Sequence, residues 1–226
     1  YHASLMLGAI EPTEMPGPSL AILATMVLLI AAASGVFWML TRRWVRGRRM
    51  GALYEWARAN GMRLVRDGSV ELPEALTQLA ECPTPLLALG REGLIIAQVR
   101  TMPSHAQLQA QRWNVLLRKL PSRWPTTALR PALSPQSLID LYALPAIPGL
   151  LSPERFLVHG VDRRAAAAVV ASPLRALLPA DVGLVLVGNW MILEFSTRPF
   201  DGTEFSRLIA VTDQLVEKLP APAEPA

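Results

Sequence analysis

One run of twenty-three residues without a charge, Ser19 to Thr41 (SLAILATMVLLIAAASGVFWMLT), constrains this chain more than anything else in it. At about 1.5 Å of rise per residue a helix of that length reaches about 34 Å, enough to cross a hydrocarbon core of about 30 Å with some tilt. The run predicts a transmembrane helix over residues 19–41. Around it lie a leader of residues 1–18, a basic juxtamembrane segment of residues 42–51, and residues 52–219, which suffice for one soluble domain with its own core.

Charge predicts the orientation. The chain has 22 Lys and Arg against 18 Asp and Glu, a net charge of +4. Arg42, Arg43, Arg46, Arg48 and Arg49 follow the apolar run at once, whereas the leader holds Glu11 and Glu14 and no basic residue. A basic cluster on one flank is the positive-inside pattern, so the leader is expected outside a bacterial inner membrane and the domain in the cytoplasm. A cleaved signal sequence would carry its charge ahead of a shorter apolar region, so the span is read as part of the mature chain. From Met50 onward 17 basic residues (22 less the five arginines) face 16 acidic ones (18 less the two glutamates). That near-neutrality argues against nucleic acid as a partner. Cys82 is the single cysteine, which allows no internal disulfide and fits a reducing compartment.

Two groups of residues in and beside the span are the candidate functional positions. Ala21, Ala24, Thr25, Leu28, Ala31, Ala32 and Gly35 share one helical face, where small side chains let a partner helix approach closely in lipid. The plainer reading is that Ala and Gly are common in spans. Trp38 and Trp44 suit the headgroup region, and Arg42, Arg43, Arg46, Arg48 and Arg49 orient the span; the same arginines attract anionic lipid by about 1 kcal/mol each.

Beyond the boundary the pattern reads as an α+β domain with a mostly antiparallel sheet and a C-terminal helix. Gly51–Asn60 predicts a short helix with Leu53, Trp56 and Ala57 inward and Gly61 as its stop. Met62–Arg66 is a strand, and Pro73–Cys82 is a helix ended by Pro83-Thr84-Pro85, with Cys82 buried at its end. Leu86–Leu89 and Leu94–Arg100 make a hairpin turning at Gly90-Arg91-Glu92-Gly93. Arg112–Lys119 is read as a strand with Trp113, Val115 and Leu117 on one face, although helical pairing of Trp113, Leu116, Leu117 and Leu120 fits nearly as well. Residues 121–153 carry prolines too often for regular structure, which makes them either an excursion around the domain or a docking arm, with one short helix at Pro135–Tyr142. Next come a strand at Phe156–Gly160, a helix capped by Asp162 and running to Ala171, and a helical turn at Leu174–Leu178. Val182–Val187 and Met191–Ser196 are two β runs joined at Gly188-Asn189-Trp190. The closing helix, Thr203–Leu219, has Asp201 and Glu204 in capping-box spacing and buries Phe205, Leu208, Ile209, Thr212, Leu215, Val216 and Leu219. Residues 220–226 (PAPAEPA) form an extended tail.

No catalytic motif accompanies this fold. His2, His105 and His159 are far apart in sequence, and neither HExxH nor CxxC occurs, so no metal or cofactor is expected. His159 and Asp162 are the one base and carboxylate close in sequence, at a strand-to-helix junction where N-capping already accounts for the aspartate. The layout as a whole, an outside leader, one span and a cytoplasmic cap, resembles the H subunit of bacterial photosynthetic reaction centres. That resemblance of organisation, without a shared motif, implies a non-catalytic accessory subunit whose partners are the helices and cytoplasmic surfaces of a larger membrane complex. The alternative is a membrane-anchored regulatory module for a soluble cytoplasmic partner.

Overall fold

A computed structural model describes residues 20–66, 72–77, 79, 83–101, 111–150 and 155–220. The leader, Cys82, His105 and residues 221–226 of the PAPAEPA tail lie outside the described residues, as does Ser19. The chain divides into two compact units, Tyr1–Arg49 and Met50–Ala226.

Helix α1 runs unbroken from Leu20 to Ala59. The helix expected over Gly51–Asn60, open to continuing the span or kinking from it, continues it. Arg, Leu, Met and Ala are strong helix formers, and the cost of Gly47 and Gly51, about 1 kcal/mol each, does not interrupt them. The stop falls where it is expected, with Gly61 in the left-handed region (φ 64) and the Met62 amide returning to the Ala57 carbonyl at 2.8 Å.

The second unit is built on a six-stranded sheet in which every pairing is antiparallel. The path is β1 (Arg63–Arg66), β2 (Thr84–Arg91), β3 (Leu94–Thr101), β4 (Gln111–Pro131) and β5 (Phe156–Gly160), with β6 (Gly183–Glu194) paired to β4. Thr84 and Pro85, expected to end a helix, open β2 and are followed by a bulge before Leu87. The helix expected over Pro73–Cys82 is described only as α2, Glu74–Thr77.

β4 corrects the expectation that prolines 121 to 131 preclude regular structure. The strand runs through Pro121 and Pro125, and the β4–β6 register shifts between Lys119 and Trp124 and again between Trp124 and Thr127. Proline lacks the N–H a ladder needs, and bulges are where a strand can do without it. From residue 132 to residue 150 the proline-rich segment packs on the sheet as an excursion: its 3-10 turn Leu138–Tyr142 buries Leu138 and Ile139, and a bridge joins Ala146 to His159. Arg130 forks onto Asp140 at 2.6 and 3.1 Å.

β6 is not straight. Twelve extended residues would separate its ends by about 36 Å, yet a Cβ on Gly183 would stand 3.5 Å from the Glu194 Cβ. The strand bends back sharply at Gly188 (φ +56) while both halves keep their antiparallel pairing with β4, which bends with it where the register shifts around Trp124. The two β runs expected on either side of Gly188-Asn189-Trp190 are its two arms.

Both faces of the sheet are covered. On one, Leu53 and Ala57 of α1, Ala166 and Val169 of α3 (Arg163–Ala171), Leu174 of α4 (Leu174–Leu177) and Phe205, Leu208 and Leu215 of α5 (Gly202–Lys218) meet Leu94, Ile96, Leu116, Leu129 and Leu193. On the other, Leu76, Leu79, Leu138 and Ile139 cover Trp113, Val115 and Leu117, the strand face predicted from alternation. Asp162 and Asp201 cap α3 and α5 through the amides of Arg164, Ala165 and Glu204. The capping box on α5 is only half formed, because the Glu204 carboxylate is taken by Arg198 at 2.6 Å.

Candidate membrane anchor and docking surfaces

Within the first unit, α1 carries no charged side chain from Ala24 to Leu40, and every one of those residues is exposed. A helix with no polar face has no orientation that satisfies it in water. The stretch starting at Ala24 is long and apolar enough to cross a membrane, and none of its apolar window is buried. Ala24, Thr25, Leu28, Ala31, Ala32 and Gly35 are all exposed, and at 100° per residue they fall within an arc of about 120°. A Cβ added to Gly35 would meet nothing within 4 Å. Ala21 lies in the helix, but its side chain is outside the described set.

At the charged end two arginines stack back on indoles one turn earlier. The Arg42 Cζ lies 4.8 Å from the Trp38 ring centroid and the Arg48 Cζ 3.8 Å from that of Trp44. This i, i+4 geometry lets a guanidinium shield the indole face while its N–H groups stay free for phosphate. Arg43 and Arg49 are exposed, and Arg46 belongs to the helix with its side chain outside the described set. Thr41 donates its hydroxyl to the Phe37 carbonyl at 2.8 Å, which removes a polar group that lipid would penalise.

In the second unit the polar side chains are largely committed to structure. Arg198 forks onto Asp181 at 2.6 and 2.8 Å and reaches Glu204 with its remaining nitrogen. The hydrogen bonds from Arg198 hold the Asp181 carboxyl below its usual range, and those with Asp181 raise the guanidinium further above its own. Buried Glu194 accepts from the Ser137 hydroxyl at 2.8 Å and the Ser196 amide at 3.3 Å. Burial pushes the Tyr142 phenol up, and its hydroxyl donates to the Ala75 carbonyl at 2.8 Å. His159 and Asp162 are not brought together as a base and carboxylate: Nδ1 donates to the Leu144 carbonyl at 3.1 Å, and the Asp162 carboxylate accepts from the α3 amides. Among the described residues no three of His, Cys, Asp and Glu lie close enough to share a metal ion.

Concave places among the described residues of this unit include a groove and a cleft. A groove of about 560 Å³ is lined by Tyr54 and Arg58 from the end of α1 and by Met62, Arg63, Leu64 and Val65 along β1. Sequence reading placed the inward residues of this helix correctly and passed over Tyr54 and Arg58; their i, i+4 spacing beside the short alternating strand RLVR was the available signal. A smaller cleft of about 410 Å³ lies where β4 passes the reversal of β6, lined among others by Arg123, Trp124, Asn189 and Trp190.

No protein-family model matches this chain, and no curated protein matches it in sequence. Among solved structures, the crystal structure of the mycobacterial trehalose monomycolate transport factor A, TtfA, has the same fold. It aligns at a TM-score of 0.53 and 11% identity, over 80% of this chain and 97% of TtfA. At that identity the similarity is one of fold.

Proposed function

We propose that this protein is a single-span accessory factor without catalytic activity, which stabilises a multi-subunit bacterial membrane assembly through helix packing in the bilayer and a cytoplasmic α+β cap. The observation that carries the reading is the contrast within α1. Its first thirty residues, Leu20 to Arg49, combine an apolar surface with a small-residue arc and an arginine–tryptophan collar, features that serve a bilayer and a neighbouring helix. The fold it shares with a protein named as a transport factor agrees with an accessory role. The orientation, leader outside and domain in the cytoplasm, follows from the basic flank.

Extraction from the native membrane in a mild detergent, followed by sizing chromatography, tests the proposal. Co-migration with a stoichiometric assembly is expected, and the absorbance spectrum of that peak tells whether the assembly is photosynthetic, as the layout of the reaction-centre H subunits would imply. Ala24→Leu, Ala31→Leu and Gly35→Leu together should release the chain from the assembly. Migration alone, or indifference to those substitutions, would leave the span as an anchor only and the domain as a regulatory module for a soluble partner.

A further inference from the structure

β1 is an edge strand: among the described residues it pairs with β2 and with nothing on its other side. Leu64 and Val65 are half-buried there, and the groove beyond them is walled by Tyr54 and Arg58. An open edge presents unpaired N–H and C=O groups at strand spacing, which is what an added strand requires.

Charge decides what could be added. Arg58 and Arg63 are exposed, no carboxylate lines the groove among the described residues, and Arg91 lies at the same end, its guanidinium donating to the Asn60 carbonyl at 3.3 Å. A second copy of this chain is a poor occupant. It would bring a second exposed Arg58 and Arg63 to the same groove, and like charges set close together repel. A strand bearing carboxylates at alternate positions meets no such repulsion and gains two guanidinium partners.

We propose that the open edge of β1 takes up an extended acidic segment of a partner protein as an additional antiparallel or parallel strand, its carboxylates meeting Arg58 and Arg63 and its apolar residues lying against Leu64 and Tyr54. The proposal rests on the accessory-factor reading, whose partner contact it specifies.

The test uses the full chain in detergent micelles and a fluorescent decapeptide of alternating glutamate and valine, followed by anisotropy at physiological salt. Saturable binding is expected, weakened about tenfold or more by R58E/R63E and unaffected by R163E/R175E, which makes the same charge change on exposed arginines elsewhere in the domain. The same peptide N-methylated on alternate amides, on the side facing β1, should also bind about tenfold more weakly, because the charge is kept and the ladder is lost. Equal binding of the methylated peptide would reduce the effect to charge attraction and overturn strand addition, as would equal loss in R163E/R175E. A concentration-dependent dimer, or retention of short-chain phosphatidylglycerol by wild type but not by R58E/R63E with no peptide bound, would replace the peptide by a second copy or a lipid headgroup and likewise overturn it. A chain that still co-migrates with its assembly while failing the peptide test leaves the accessory role intact; one that binds the peptide but migrates alone does the reverse.

Discussion

The two units of this chain use the same residue types to opposite ends. In the first, Leu28 is 69% and Ile30 64% exposed; in the second, Leu116 and Ile96 are 0% exposed. The difference lies in how the apolar residues are distributed. α5 concentrates Phe205, Leu208, Thr212 and Leu215 on one stripe, which a sheet can cover, and leaves Glu217 and Lys218 outside. The start of α1 has no such stripe, so a single sheet face could not cover it, and only a surrounding apolar medium or several neighbours could. An apolar stripe specifies a core; apolarity all round specifies a solvent.

Substitutions in both units can break or sharpen that contrast, from the largest effect to the smallest. Phe205 sits between Trp56, Phe195 and Phe200, with ring centroids 4.7 to 6.3 Å away. Phe205→Ala should lower domain stability by about 3–5 kcal/mol in denaturant titration, whereas Phe37→Ala, on an exposed side chain of the first unit, should leave it unchanged. Equal losses would dissolve the distinction between the units.

Gly202→Ala probes how tightly α5 meets α1 inside the domain. The new Cβ would lie 2.5 Å from Cγ of Trp56, a ring whose Nε1 donates to Ser206 Oγ at 3.0 Å. A loss of about 1–3 kcal/mol is expected, with a changed tryptophan emission; an unshifted unfolding midpoint would contradict the close packing.

Arg198→Ala leaves Glu204, which is mostly buried, with only the looser, exposed Arg207 at 3.9 Å, and should cost about 1–3 kcal/mol. The linked pH effect has a definite sign. Because the folded Asp181 carboxyl is held below its ordinary value, its contribution is complete above the unfolded pKa of about 4 and disappears as pH falls through the lower folded value. Asp181→Asn should therefore flatten the acid limb of a stability–pH curve, lower the plateau at neutral pH by the lost contribution, and leave the slope above neutrality unchanged. The smallest effect is that of Gly188→Ala, where an added Cβ meets no atom within 4 Å and only the left-handed backbone resists it, by about 1–2 kcal/mol.

The elements legible in the sequence are those with a local cause. The β5–α3 passage falls where the strand ending at Gly160 and the Asp162 cap put it, and α5 falls between Asp201 and its last apolar stripe residue. Gly61 ends α1 because its backbone can turn left-handed. What was not legible depended on partners distant in sequence. Pro121 and Pro125 read as breakers until β6 supplies a ladder with irregularities at those positions. Glu204 reads as half of a capping box until Arg198 claims its carboxylate. The groove between α1 and β1 has no sequence signature beyond two arginines and a tyrosine, since its shape comes from where β1 stops pairing.

The sequence by itself determined that one segment is too uniformly apolar for water, that its charged flank is basic, and that the remainder alternates as an antiparallel α+β domain, because each follows from transfer free energy or a repeat period within a few residues. Tertiary structure alone decided that β4 continues through its prolines, that β6 bends back with it, and that among the described residues β1 ends the sheet beside Arg58. Those outcomes depend on which backbone groups find partners across the sheet, and no residue carries that information alone.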